Sequence, residues 1–225
     1  MRISISSLFV VAALASAGSA KADVITHLPT NQKVVALTFD ACENYTPAYL
    51  DTRLRDELLA RGVPWTMFAA GRFARRNAAA LEDLAKLPQV EIENHSMNHN
   101  NHMERMSDPV VAKEVEDDET VLEGITGKKP KFFRFPAGNY DARTLGDVEK
   151  LGYKVVHWTF ASGDPAKSVT PAKLTDWVLF KTRPGDILIF HINGRGWSTA
   201  DAMPAILDGL EERGYGFVRL DALVK

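Results

Sequence analysis

The sequence predicts a single parallel α/β domain, and three observations carry that prediction. Short apolar runs of strand length alternate with longer segments at helical spacing, and parallel neighbours need the crossovers that helices provide. Proline and glycine punctuate the joints between the two patterns. No linker, low-complexity tract or internal repeat divides the chain, and its 225 residues suffice to bury a substantial core. On these grounds an open doubly wound sheet and a closed barrel both fit.

Residues 1–22 read as an export signal. Arg2 supplies a positive start, Leu8 to Leu14 an apolar core, and Ala20-Lys21-Ala22 a small-x-small cleavage site. The apolar run is shorter than the roughly 20 residues a spanning helix requires, so the expected product is a domain over 23–225, periplasmic or secreted, with no membrane span after cleavage. Cys42 is the one cysteine, which leaves no intramolecular disulfide, so the fold rests on its core with a metal as an addition. A net charge of −2 and 45% hydrophobic residues argue against broad attraction to nucleic acid or anionic membranes.

Lys33 to Asp40 is a continuous apolar run ending in a carboxylate, as expected of a strand buried on both faces. Thr46-Pro47 resembles a helix start, and Leu50, Leu54, Leu58 and Leu59 form a stripe that stops at Gly62. Pro64 to Ala69 is the second strand, followed by a helix from about Asn77 to Leu87, and Val90 to Glu93 is the third strand. Ser107-Asp108-Pro109 opens a helix that finishes at Gly127. Phe132 to Phe135 and Tyr153 to Trp158 are the fourth and fifth strands, separated by a helix over Asp141 to Leu151. An irregular loop through Gly163-Asp164-Pro165 leads to a helix from Thr170-Pro171. Ile187 to His191, a helix near Ala200 to Arg213, and Gly216 to Leu220 complete about seven strands.

In such folds functional groups gather beyond the carboxyl ends of the strands, where Asp40, His95, Arg134, Asp164 and His191 all fall. Glu93 to His102 holds three of the six histidines. If this segment turns like one helical coil, His95 and His99 stand about 6 Å apart at Cβ on one face, close enough to grip one divalent cation. Two imidazoles with an open position suit a catalytic zinc site. Taken singly, each of these polar residues also suits a cap, a turn or a satisfied place in the core.

Thr38-Phe39-Asp40, His95-Ser96-Met97-Asn98-His99, Arg134-Phe135-Pro136-Ala137-Gly138, Trp158 through Asp164, and Leu188-Ile189-Phe190-His191 stand in the order of the polysaccharide deacetylases. The mature chain therefore resembles carbohydrate esterase family 4, the enzymes with the NodB-homology domain. That resemblance implies a distorted (β/α) barrel of about seven parallel strands. It also implies metal-assisted hydrolysis of acetyl groups on N-acetylated amino-sugar polymers or oligomers, with amide bonds cut and peptide bonds spared. By position, Asp40 matches the general base, Arg134 the residue that holds it, and His95 and His99 the ligands of a divalent metal, with zinc the expected ion. The N–H of Ala137 matches an oxyanion donor, His191 the general acid, and Asp164 the carboxylate that orients it.

The first motif departs from the family pattern. Ala41 stands where a second aspartate supplies the third metal ligand, and Cys42 where glycine follows. The expectation is a weakened site with two protein ligands, where catalytic zinc normally has three. Cys42, Glu43, His102 or Asp40 itself remain open as a third donor. A thiolate is a good zinc ligand, but the preferred reading makes Cys42 a small buried filler. On that geometry Ala41→Asp is expected to tighten metal binding. Pro165 replaces a tryptophan common in the family, and Trp158 and Trp197 are candidates for a pocket wall or a sugar-stacking face. Peptidoglycan and chitin-like chains are the candidate substrates. The rivals are an O-acetyl polysaccharide esterase, a catalytically silent carbohydrate-binding relative, and a glycosidase, whose carboxylate pair is not evident.

Overall fold

The computed structural model describes residues 23–225, and the expected export signal over 1–22 lies outside them. Eight parallel strands build one sheet: β1 (Val34–Ala41), β2 (Trp65–Ala69), β3 (Val90–Asn94), β4 (Phe132–Phe133), β5 (Lys154–Val155), β6 (Phe160–Ala161), β7 (Ile187–His191) and β8 (Gly216–Val218). The order is β5-β4-β3-β2-β1-β7-β6, with β8 pairing the start of β1. β5 and β6 occupy opposite ends of this order, yet only residues 156–159 join them, so the sheet curls until that short connection can span its two edges. The result is the distorted barrel the family resemblance implies. The segment at Ile25 closes the seam, its N–H donating to Val155 O at 2.9 Å while it accepts from His157 N at 2.8 Å.

Seven helices wrap the sheet: α1 (Thr52–Ala60), α2 (Gly71–Arg76), α3 (Ala78–Ala85), α4 (Asp108–Thr126), α5 (Ala142–Lys150), α6 (Pro171–Lys181) and α7 (Thr199–Glu212). Strand alternation sorts β1 between two layers. Val35, Leu37, Phe39 and Ala41 pack outward into the layer shared with the helices. Ala36 packs inward with Phe68, Phe132, Val156 and Ile187. Asp40 follows the inward set and ends it at the barrel mouth, where the register pairs it with His191 on β7.

Several helix ends follow the caps read from sequence. Gly127 closes α4 at φ +68°, a left-handed conformation that suits glycine. Asp141 and Thr144 form a reciprocal cap on α5, and the Thr170 hydroxyl caps α6. The helix expected from Thr46-Pro47 instead begins at Thr52, because the preceding donors are engaged elsewhere. Ala48 N donates to Glu43 Oε2 at 3.1 Å, Leu50 N to Asn77 Oδ1 at 3.1 Å, and Asp51 N to Ile192 O at 2.8 Å. The sequence reading also lacks α2, a helix of six residues, and β6, two residues inside the loop before Asp164. Among the described residues no helix is long and apolar enough to cross a membrane.

Candidate active site

The mouth of the barrel gathers the polar ends of the inner strands. Asp40 is 4% exposed, and its Oδ1 accepts from the Arg134 guanidinium at 2.7 Å. Arg134 is fully buried, donates from Nε to Val156 O at 3.2 Å and from its second terminal nitrogen to His157 O at 2.9 Å, and lies 4.0 Å over the Phe68 ring. Every direction in which this guanidinium could swing is therefore occupied by a bond or a ring face. Burial opposes ionisation of Asp40, but Arg134, His95 and His191 outweigh it and bring its pKa down to about 2.

The histidine loop converges without a helix. Asn94, at the end of β3, accepts from Ser96 N at 3.0 Å, and the Ser96 hydroxyl accepts from His99 N at 3.1 Å. These two turns put Ser96 at φ +65° and His99 at φ +50°, a region that non-glycine residues enter only when their surroundings hold them there. The one-turn helix expected from the His-x-x-x-His spacing is thus replaced by side-chain-braced turns. The outcome for the imidazoles is the same, with ring centroids 4.8 Å apart.

His95 is fully buried and anchored at both ends. Its backbone N–H donates to Asp118 Oδ2 at 3.0 Å, and its Nδ1–H donates to Arg134 O at 2.8 Å. With Nδ1 committed to a carbonyl, Nε2 is the nitrogen that faces Asp40 Oδ2 at 3.5 Å and Cys42 Sγ at 3.7 Å. His99 is 3% exposed, and neither ring nitrogen has a hydrogen-bond partner among the described residues. A buried imidazole with no partner is costly unless something absent from the protein atoms binds it. The donor atoms of Cys42, His95 and His99 lie within 4.8 Å of one another. These residues fit a divalent cation.

Beside Asp40, on the neighbouring strand β7, His191 is held at two points by Asp164, which is 1% exposed. Asp164 Oδ1 pairs with His191 Nδ1 at 3.0 Å, and Oδ2 accepts from His191 N and from the Thr199 hydroxyl, each at 2.7 Å. Ser162 adds a hydroxyl at 3.0 Å. Burial opposes the imidazolium, but the bond to Asp164 prevails and lifts the His191 pKa well above the ordinary histidine value.

Asp40, His99, Ala137, Trp158, Asp164 and His191 share one cavity of about 240 Å³. All seven residues expected from the sequence, Asp40, His95, His99, Arg134, Ala137, Asp164 and His191, therefore meet at one end of the barrel. Ala137 sits in a single helical turn at φ +55°, next to Gly138 at φ +72°. Trp158 walls the cavity and packs so closely on Gly138 that a Cβ there would meet its ring at 2.7 Å. Trp197 is 52% exposed at an adjoining groove, and Pro165 lines the cavity itself.

Two of the open third donors fall away. Glu43 is held by Arg76 at 2.7 and 2.8 Å, and His102 is exposed and paired with Glu104 at 2.9 Å. Of the two that remain, Cys42 places its sulfur close to the ring nitrogens of His95 and His99. Ala41 itself packs in the apolar helix-side layer, facing away from the cluster. Sequence reasoning also missed Asp118 and Thr199, which brace site residues from helices and carry no motif of their own.

The model of the polysaccharide deacetylase family matches residues 27–156. A peptidoglycan-N-acetylglucosamine deacetylase of Bacillus cereus is 30% identical over 207 residues, covering 90% of this chain and 93% of the relative. A chitooligosaccharide deacetylase of Azorhizobium caulinodans is 27% identical over 202 residues, covering 82% and 91%. Among solved structures, a peptidoglycan N-acetylglucosamine deacetylase superposes with a TM-score of 0.81 at 25% identity, covering 89% of this chain and 92% of that one.

Proposed function

The chain belongs to the polysaccharide deacetylase family, and from that premise we propose that it hydrolyses the acetamido group of N-acetylated amino sugars in a polymer or oligomer. One observation carries this reading: an ionised carboxylate fixed on a buried arginine and an imidazole aimed by a second carboxylate line, side by side, a cavity that also receives an unpartnered histidine.

His95 and His99 would hold a divalent cation, for which zinc suits the imidazole donors. When bound, that cation supplies Lewis-acid polarisation of the acetyl carbonyl. Asp40 accepts the proton of the attacking water, and Arg134 keeps it ionised and pointed into the cavity. The Ala137 N–H donates to the oxygen that gains charge as the carbonyl carbon becomes tetrahedral. His191 enters protonated because Asp164 holds it so, and it delivers that proton to the departing sugar nitrogen. Acetate and a free amine are the products.

The substrate class follows from the relatives' activities and from the presence of an acid that can protonate a poor amine leaving group. Peptidoglycan and chitin-like chains both present such groups, and export through residues 1–22 would deliver the enzyme to them. The test is acetate release by the purified protein from N-acetylglucosamine oligomers, peptidoglycan fragments and O-acetylated xylan. N-acetylated glycans should yield acetate. Release from the O-acetylated glycan alone would replace this reading with an ester hydrolase, and glycan binding with no acetate would make the chain a silent relative.

A further inference from the structure

Cys42 occupies a position that the motif comparison assigns to glycine, so its role has to be read from its surroundings. It is 4% exposed, and its sulfur belongs to none of the apolar clusters of the described residues. Its neighbours are donor atoms. Sγ forms one close set with His95 and His99 and a second with Asp40 and His191, the atoms of each set lying within 4.8 Å of one another. A thiol that merely filled space would sit against carbon. This one stands where four polar side chains point.

The distances favour ligation. A tetrahedral zinc with Zn–S of about 2.3 Å and Zn–N of about 2.0–2.1 Å places sulfur and nitrogen about 3.6 Å apart, and Cys42 Sγ lies 3.7 Å from His95 Nε2. That nitrogen is free to bind, since Nδ1 is committed to Arg134 O. His99, nine-tenths buried with both nitrogens unpartnered, supplies an independent sign that something belongs between these side chains. The backbone also fixes the cysteine: its carbonyl accepts a hydrogen bond from the Asn193 side chain just beyond β7.

Resting on the reading that His95 and His99 hold a cation, we infer that Cys42 is its third protein ligand, giving a Cys-His-His site with a thiolate where the family pattern places a carboxylate. Two consequences follow. Asp40 is left bonded to Arg134 and free to serve as a base. The soft sulfur donor biases the site toward zinc or cobalt and away from magnesium, calcium or manganese, which prefer oxygen.

The test is titration of the metal-stripped full-length mature protein with cobalt(II), followed by absorbance. The wild type should take up one equivalent and develop a near-ultraviolet sulfur-to-cobalt charge-transfer band together with tetrahedral visible bands. Cys42→Ser should lose the sulfur band and bind about 100-fold or more weakly, beyond what loss of a mere outer-shell partner costs. Cys42→Asp should recover affinity without the band, and far-ultraviolet circular dichroism of the metal-free variants should match the wild type. Cobalt binding that depends on His99, shows no sulfur band and is unchanged in Cys42→Ser would overturn the assignment while leaving the histidine site standing. Failure of the wild type to bind cobalt at all would overturn both. An acetyl thioester on Cys42, detected by mass spectrometry in the absence of the band, would make the sulfur a nucleophile and likewise overturn the assignment.

Discussion

Replacing Arg134 with methionine should invert the pH dependence of stability. In the wild type the Asp40 pKa of about 2 lies below the ordinary aspartate value of 3.8, a difference worth about 2 kcal/mol at neutral pH. A depressed carboxylate stabilises the fold above its unfolded pKa, and that contribution disappears as pH falls through about 4 toward 2. Arg134→Met leaves a side chain able to pack on the Phe68 ring but removes the 2.7 Å bond and the positive charge over that ring. Asp40 stays buried, and burial alone pushes its pKa up. A buried charge stripped of its partner costs about 3–5 kcal/mol, and protonation removes much of that cost. The variant should therefore be several kcal/mol less stable than wild type at pH 7, with the gap narrowing steadily toward pH 4. Urea unfolding at intervals across this range measures the gap directly. A deficit that stays constant between pH 7 and pH 4 would refute the assignment of Asp40 as the partner whose charge Arg134 sustains.

Other expectations concern chemistry and folding separately. Asp164→Asn should lower kcat/KM by about 10²–10⁴ and move the alkaline limb of its pH profile to lower pH, since His191 acts as an acid only while protonated; an unmoved limb would mean another group titrates there. Ala41→Asp would bury a carboxylate among Val35, Leu37 and Phe39, so it should cost about 3 kcal/mol or more without tightening metal binding, as denaturation and calorimetry would report. At the opposite end of the barrel, burial raises the Glu91 pKa from 4.5 to about 7. Its folded form holds a proton that the unfolded chain releases, so stability falls as pH climbs between those values. Glu91→Gln should remove about 3 kcal/mol of that fall, measured by denaturation at pH 5 and pH 8.

The fold and most of the site were legible because their signals are local. The run Val34 to Asp40 announces a buried strand and the group at its end, and Gly127 and Asp141 mark helix ends by their own backbone demands. The family order then brought Arg134 and His191 to the same mouth, which no spacing along the chain implies. What stayed hidden depends on long-range placement. Asn94 and Ser96 bend the histidine loop through side-chain hydrogen bonds that a helical spacing rule does not represent. Ala41 and Cys42 differ by one position, yet strand alternation and the end of β1 send one into the helix layer and the other into the site. Alignment by motif draws attention to the aspartate missing at Ala41, whereas the geometry brings the sulfur of its neighbour Cys42 beside the two histidines. Asp118 reaches His95 from the middle of α4, where nothing in the sequence distinguishes it from other acidic residues of that helix.

The most direct measurement is acetate release from N-acetylglucosamine oligomers by one preparation taken through three states: as purified, after chelation, and after zinc is restored, with Asp40→Asn carried in parallel. We expect release that disappears on chelation, returns with zinc, and is absent throughout in the variant. Acetate production that is indifferent to chelation, or equal in Asp40→Asn, would contradict the catalytic centre described for this chain.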